Sequence, residues 1–196
     1  MIDFIINGNA GLKAPLKAKK IISKILDEKG IEYAFHPPKC EKDAIRIAKE
    51  FGVKMTLEHV TEGHLIVEEL AAEKYPLAVG PTLTSASKYE LRNKSWTTPG
   101  VLAAAGCQVS IVTDSPVVPQ QHLPHCAGMA VAAGMDPFAA LQAITINPAT
   151  QIGIADRVGS LEKGKDGDVV IWDADPIVTV GAEAYVTVID GKVVYR

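Results

Sequence analysis

The sequence predicts an α/β fold of parallel β-α units closed by a small antiparallel β appendage. Two observations carry the prediction. Short apolar runs alternate with stretches of helical periodicity as far as Asn147-Pro148, and beyond that point only short β-type runs separated by turns remain. A third sets the scale: 196 residues with 47% hydrophobic and 22% charged content are enough for one core of ordinary soluble type plus an appendage.

The elements follow in order. Phe4 to Ile6 reads as a strand, Asn7 to Gly11 as a glycine-rich turn, and Leu16 to Glu28 as a helix stopped by Gly30. Ile31 to Phe35 is a second strand, broken by Pro37-Pro38 before a helix over Glu41 to Phe51. Met55 to Val60 then reads as a strand, His64 to Lys74 as a helix, Leu77 to Val79 as a strand, Pro99 to Ala105 as a helix and Val109 to Thr113 as a strand. Helices over Pro124 to Ala133 and Pro137 to Ile146 complete this part. Between them, Thr82 to Trp96 has little periodicity and is long enough to be a functional loop over the strand ends. In the tail, Asp168 to Asp173, Tyr185 to Ile189 and Lys192 to Tyr195 are strands, the last two joined by Asp190-Gly191, a strong hairpin signal. The expected division is an α/β part over 1–150 and a β part over 151–196.

Charge and cysteine usage exclude several function classes. A net charge of -3 without a Lys/Arg stripe argues against a nucleic-acid footprint. The local cluster Lys13, Lys17, Lys19 and Lys20 reads as a solvated helix face. Cys40, Cys107 and Cys126 are odd in number and far apart, as free thiols of a reducing compartment would be. No run approaches the ~20 apolar residues of a membrane span, and the N-terminus resembles no signal peptide, so a cytoplasmic location is expected. Nucleophile-elbow, P-loop and dinucleotide-binding motifs are absent from the sequence.

Chemistry concentrates at two strand ends. The run Met55 to Val60 delivers Glu58 and His59 to the C-terminal end of its expected strand, where parallel α/β folds place their sites. Alternation puts Met55, Leu57 and His59 on one face, so that His59 points to the mouth if the other two face inward. There its imidazole is a metal ligand or proton carrier, or a histidine that only hydrogen-bonds at a strand end. His59 and His64 are five apart, about 140° on a helix of 3.6 residues per turn, which excludes a zincin pair. His64 then contacts a ligand or caps the next turn. Val109 to Thr113 leads to Asp114 and a proline-forced stop. Asp114 is either a cap of the following turn or a carboxylate that ligates a metal and takes a proton from metal-bound water. His122 and His125 would share a helical face, with Pro124 marking a first turn; a structural role is expected, since no second Cys/His pair accompanies them.

From about residue 43 the chain resembles the amidohydrolase superfamily, in its imidazolonepropionase-like and dipeptidase-like branch. The carrying text is DAIRIAKEFGVKMTLEHVTEGHLI, VGPTLTSASKYELRN, TPGVLAAAGCQVSIVTDSPVVPQQHLP and GMDPFAALQAITINPA. It continues in RVGSLEKGKDGDVVIWDADP and VIDGKVVYR. The resemblance implies a partial (β/α)8-type barrel, or an open parallel sheet, with the β appendage. It implies a metal-dependent hydrolase of C–N bonds other than peptide bonds, acting on small cyclic-amide or dipeptide-like substrates. It also implies a divalent metal, zinc, with His59 as the sixth-strand ligand and Asp114 as the eighth-strand aspartate. The family's first-strand His-x-His pair is missing, so weak metal or none, and an incomplete site, are expected. His36 is placed to replace the fifth-strand ligand. Residues 1–36 are similar instead to the opening of a diacylglycerol kinase-like domain, which would make the chain a junction of two α/β pieces. The alternatives are therefore a non-enzymatic α/β scaffold or chimeric fragment and, third, a nucleotide-binding module on Asn7 to Gly11. An open sheet edge further predicts a homo-oligomer.

Overall fold

The computed structural model describes residues 2–5, 14–37, 47, 50, 52, 55–86 and 88–196. The chain divides into two compact units, Met1–Lys54 and Met55–Arg196.

In the first unit β1 (Ile2–Ile5), α1 (Ala14–Glu28) and β2 (Tyr33–His36) make a β-α-β step, with β1 parallel to β2 from Ile2↔Tyr33 to Ile5↔His36. Phe4 and Phe35 meet at ring centroids 5.4 Å apart. Helix α1 closes where Gly30 was expected to stop it, with Gly30 N–H donating to Asp27 O and Ile31 N–H to Leu26 O, which satisfies two orphan carbonyls. Lys17, Lys19 and Lys20 are exposed, as a solvated face should be. The turn at Asn7 to Gly11 and Cys40 lie outside the described residues, as does nearly all of the helix expected over Glu41 to Phe51.

The second unit is built on β3 (Leu77–Val79) and β4 (Val109–Ile111), paired in parallel from Leu77↔Val109 to Val79↔Ile111. All six residues are buried, which explains why both strands read as continuous apolar runs rather than alternating ones. Around them stand α2 (Val67–Glu73), α3 (Thr98–Ala104), α4 (Leu123–Ala132), α5 (Pro137–Ala143) and α6 (Ile146–Gln151). Leu70 and Leu102 pack with Leu77, Val79 and Val109 in one cluster. Ile111, Cys126, Ala130, Met135 and Ala140 centre a second. Cys107 and Cys126 carry free thiols, and burial pushes both up from the ordinary thiol range.

Two expectations are corrected. The helix expected over Pro137 to Ile146 is two, because Thr145 (φ -131°, ψ -90°) breaks the helical path before α6. Asn147-Pro148 lies in the first turn of α6, where proline forfeits no intrahelical bond. The strand expected over Met55 to Val60 shortens to a single parallel bridge, Leu57↔Leu77. Leu57 N–H donates to Pro76 O, Ala78 N–H to Leu57 O and Val60 N–H to Ala78 O, so the segment runs beside β3. The left-handed backbone of His59 (φ 56°) interrupts the ladder.

The appendage is a three-stranded antiparallel sheet in the order β5 (Val169–Trp172), β6 (Ala184–Ile189), β7 (Lys192–Tyr195). Asp190 (φ 51°) and Gly191 (φ 71°) make the left-handed turn that this hairpin requires. Ile177, between β5 and β6, is buried in the α4–α5 core. No helix among the described residues is long and apolar enough to cross a membrane.

Candidate active site

Among the described residues four non-glycine positions have positive φ: His59, Lys74, Asp114 and Asp190. Lys74 is the left-handed C-cap of α2, its N–H bonded to Leu70 O, and Asp190 sits in the hairpin turn. Asp114 opens a turn in which its carbonyl accepts from Val117 N–H, and His59 stands just beyond the bridge at Leu57. Each follows a run that pairs in the parallel sheet, and each is bent into a conformation that costs of order 1–3 kcal/mol unless its surroundings impose it. They are the two residues that the strand-end argument singles out.

The bend at His59 has a visible consequence. Its Nδ1 lies 3.1 Å from Gly80 O, just beyond β3. A carbonyl only accepts, so Nδ1–H donates, and this tautomer leaves Nε2 as the ring nitrogen able to present a lone pair. Gly80 allows this approach because it is glycine: at φ 146° a Cβ would fall 2.1 Å from Val112 O. That carbonyl belongs to the segment leading from β4 to Asp114, whose Val112 N–H in turn donates to Val79 O. The ends of β3 and β4 are thus locked together at the residue that holds the His59 ring and at Val112, which Thr113 separates from Asp114. Asp114 spends its backbone carbonyl on Val117 N–H.

Both candidates line one cleft of about 890 Å³, together with Glu62, Leu65, Lys88 and Val117. Leu65 and Val117 are more than half exposed and give the cleft an apolar wall. The loop over Thr82 to Trp96 forms another wall and is tied down at two points. Lys94 Nζ donates to the carbonyl of Thr84 and to its Oγ1, the latter at 2.7 Å. Asn93 N–H donates to Glu62 Oε1 at 2.7 Å. Burial pulls the Lys94 ammonium below the ordinary lysine range.

His64 has a structural role. Thr98 Oγ1, fully buried, gives its one proton to Thr61 O at 3.1 Å and so accepts from His64 Nδ1–H at 2.7 Å. That relay pins the 3-10 turn over Gly63–Ile66 to α3. His36 closes β2 in the first unit. Glu62 and Lys88 are the cleft residues that sequence reasoning did not single out. Lys88 lies in the loop marked as functional, but neither residue stands at a strand end, the one signal available for ranking charged groups.

A catalytic zinc takes three protein ligands. Among the described residues no group of three or more metal-ligating side chains converges. The side chains of ligand chemistry that line the cleft are His59, Glu62 and Asp114, with Glu62 Oε1 already accepting from Asn93 N–H.

The model of the amidohydrolase family matches residues 13–194. The match starts ahead of the motifs from residue 43 and takes in α1 and β2, and it lends no support to a kinase-like origin for residues 1–36. An amidohydrolase from Thermotoga maritima MSB8 superposes with a TM-score of 0.74 at 30% identity, covering 92% of this chain and 53% of that one. The imidazolonepropionase of Solibacter usitatus is 29% identical over 165 residues, 82% of this chain and 38% of that protein. Adenine deaminase 1 of Desulfotalea psychrophila is 26% identical over 141 residues, 71% of this chain and 23% of that protein. The chain therefore spans about half the length of the solved relative and less of the curated ones.

Proposed function

The chain belongs to the amidohydrolase family, and from that premise we propose that its cleft serves hydrolysis of a C–N bond in a small cyclic-amide or dipeptide-like substrate. One observation carries the reading: His59 and Asp114, each bent into left-handed backbone beyond a run that pairs in the parallel sheet, line one cleft. In this reading Asp114 accepts the proton of the attacking water, a task suited to a carboxylate within hydrogen-bond reach of it. His59, with Nδ1–H anchored on Gly80 O, offers Nε2 to the cleft as a ligand or hydrogen-bond acceptor in a fixed orientation. The exposed Leu65 and Val117 receive the apolar part of the substrate.

With no His-x-His pair in the sequence, this chain alone is proposed to hold zinc substoichiometrically. His36 stays a candidate ligand on sequence grounds. The test is zinc content by elemental analysis beside hydrolysis of a panel of cyclic amides and dipeptides, for the full chain and its His36→Ala, His59→Ala and Asp114→Asn variants. Substoichiometric zinc that falls further with His59→Ala or Asp114→Asn supports the reading, as does any turnover abolished by the same changes. Stoichiometric zinc unaffected by either change would remove these residues from the site. A folded chain with zinc and no turnover would favour the non-enzymatic scaffold.

A further inference from the structure

We propose that His122 and His125 form a second metal site, a two-imidazole chelate for a divalent transition cation at the start of α4. The pair stands apart from the cleft, which neither residue lines. His122 immediately precedes α4 and His125 lies in its first turn, so the side chains share a face. The His122 side chain makes no cap hydrogen bond to α4. Nor does either ring engage a hydrogen-bond partner among the described residues. Their contact is with each other, at 5.6 Å between ring centroids and 65° between planes.

That separation suits chelation. With a metal–nitrogen bond of about 2.0–2.1 Å and roughly 1.1 Å from nitrogen to ring centre, two imidazoles on one cation have centres about 5.2 Å apart at a tetrahedral angle and about 4.5 Å apart at the right angle of a copper(II) square plane. The observed rings need close by a few tenths of an ångström for the first and by about an ångström for the second. His125 is exposed, so its ring is free to rotate toward the shared cation. The neighbouring Cys126 is 1% exposed and packs in the core cluster, so its sulfur is not part of this surface pair. No acidic residue occurs from Ser115 to Cys126, which leaves a neutral N2 donor set completed by water. Such a set favours copper, nickel and zinc over magnesium or calcium, with copper(II) tightest. The positive end of the α4 dipole opposes a cation here, by about five-fold in affinity at most.

The test titrates the full chain with copper(II) alone and reads the nitrogen hyperfine pattern by electron paramagnetic resonance. His122→Ala, His125→Ala and His59→Ala are compared, with His122→Gln and His125→Gln as size-conserving variants should an alanine variant misfold. A tight equivalent whose spectrum shows two coordinated imidazoles is expected, weakened at least ten-fold by either change in the pair, while His59→Ala removes only the separate one-imidazole copper of the cleft. Because the two sites differ in the number of coordinated imidazoles, failure here leaves the hydrolase reading untouched. A two-imidazole signal that survives removal of both histidines, or that disappears with His59→Ala, overturns the proposal.

Discussion

At the scale of single residues, Gly80 carries more of the candidate site than either reactive side chain. It supplies the carbonyl that orients His59 and lets two strand ends approach to a distance that no side chain tolerates. Gly80→Ala should therefore destabilise the protein by about 3 kcal/mol or more, since both the backbone angle and the Val112 carbonyl must yield. Chemical denaturation would measure it, and a loss below 1 kcal/mol would show that the approach is not tight. Ser110 is the converse case. Its Oγ is buried in β4 with no hydrogen-bond partner in the structure, a desolvation cost with nothing returned. Ser110→Ala should be neutral or stabilise by up to about 1 kcal/mol; a clear loss in the same denaturation experiment would point to a partner, such as a bound water.

Among the elements, the loop over Thr82 to Trp96 is closed on itself by the Lys94 side chain and tied to Glu62 through Asn93. Lys94 joins its two ends by donating to Thr84, whose Oγ1 lies 3.4 Å from Pro81 O, and Pro81 and Thr84 both wall the cleft. Lys94→Met keeps the aliphatic stem and removes the charge-assisted donor, so melting should fall modestly, by roughly 1 kcal/mol. Proteolysis within 82–96 should accelerate several-fold, because local opening is what a protease samples. Unchanged cleavage kinetics would show that the loop is held elsewhere. The loop's existence was legible from its lack of periodicity. Its tether was not, because lysine in a polar stretch has no local signature and Lys94 and Thr84 meet only after the chain turns back.

For the whole molecule, the exposed edge is the outstanding feature. Strand β7 pairs with β6 alone, and all four of its residues are exposed, Val193, Val194 and Tyr195 among them. A bare apolar edge strand is a template for another chain. Homo-oligomerisation through this edge should appear as a concentration-dependent shift in light scattering and should be abolished by Val193→Lys; a monomer at every concentration would exclude it.

What the amino-acid order determined by itself was local and chemical. The apolar runs of β3 and β4, the Gly30 stop, the Asp190-Gly191 turn and the placement of His59 and Asp114 after strands all follow from periodicity and backbone preference over a few residues. So did the family, through motifs spread along the chain. Tertiary structure decided what depends on non-local contact. It cut the strand at Met55 to Val60 to one bridge, divided the helix after Ala143, committed His64 to Thr98, and brought two strand ends 55 positions apart into one cleft. The physical reason is the range of the forces involved. Steric limits on φ and ψ act within a residue or two and are written in sequence, whereas the meeting of Gly80 with Val112 and of His59 with Gly80 exists only once β3 and β4 have paired.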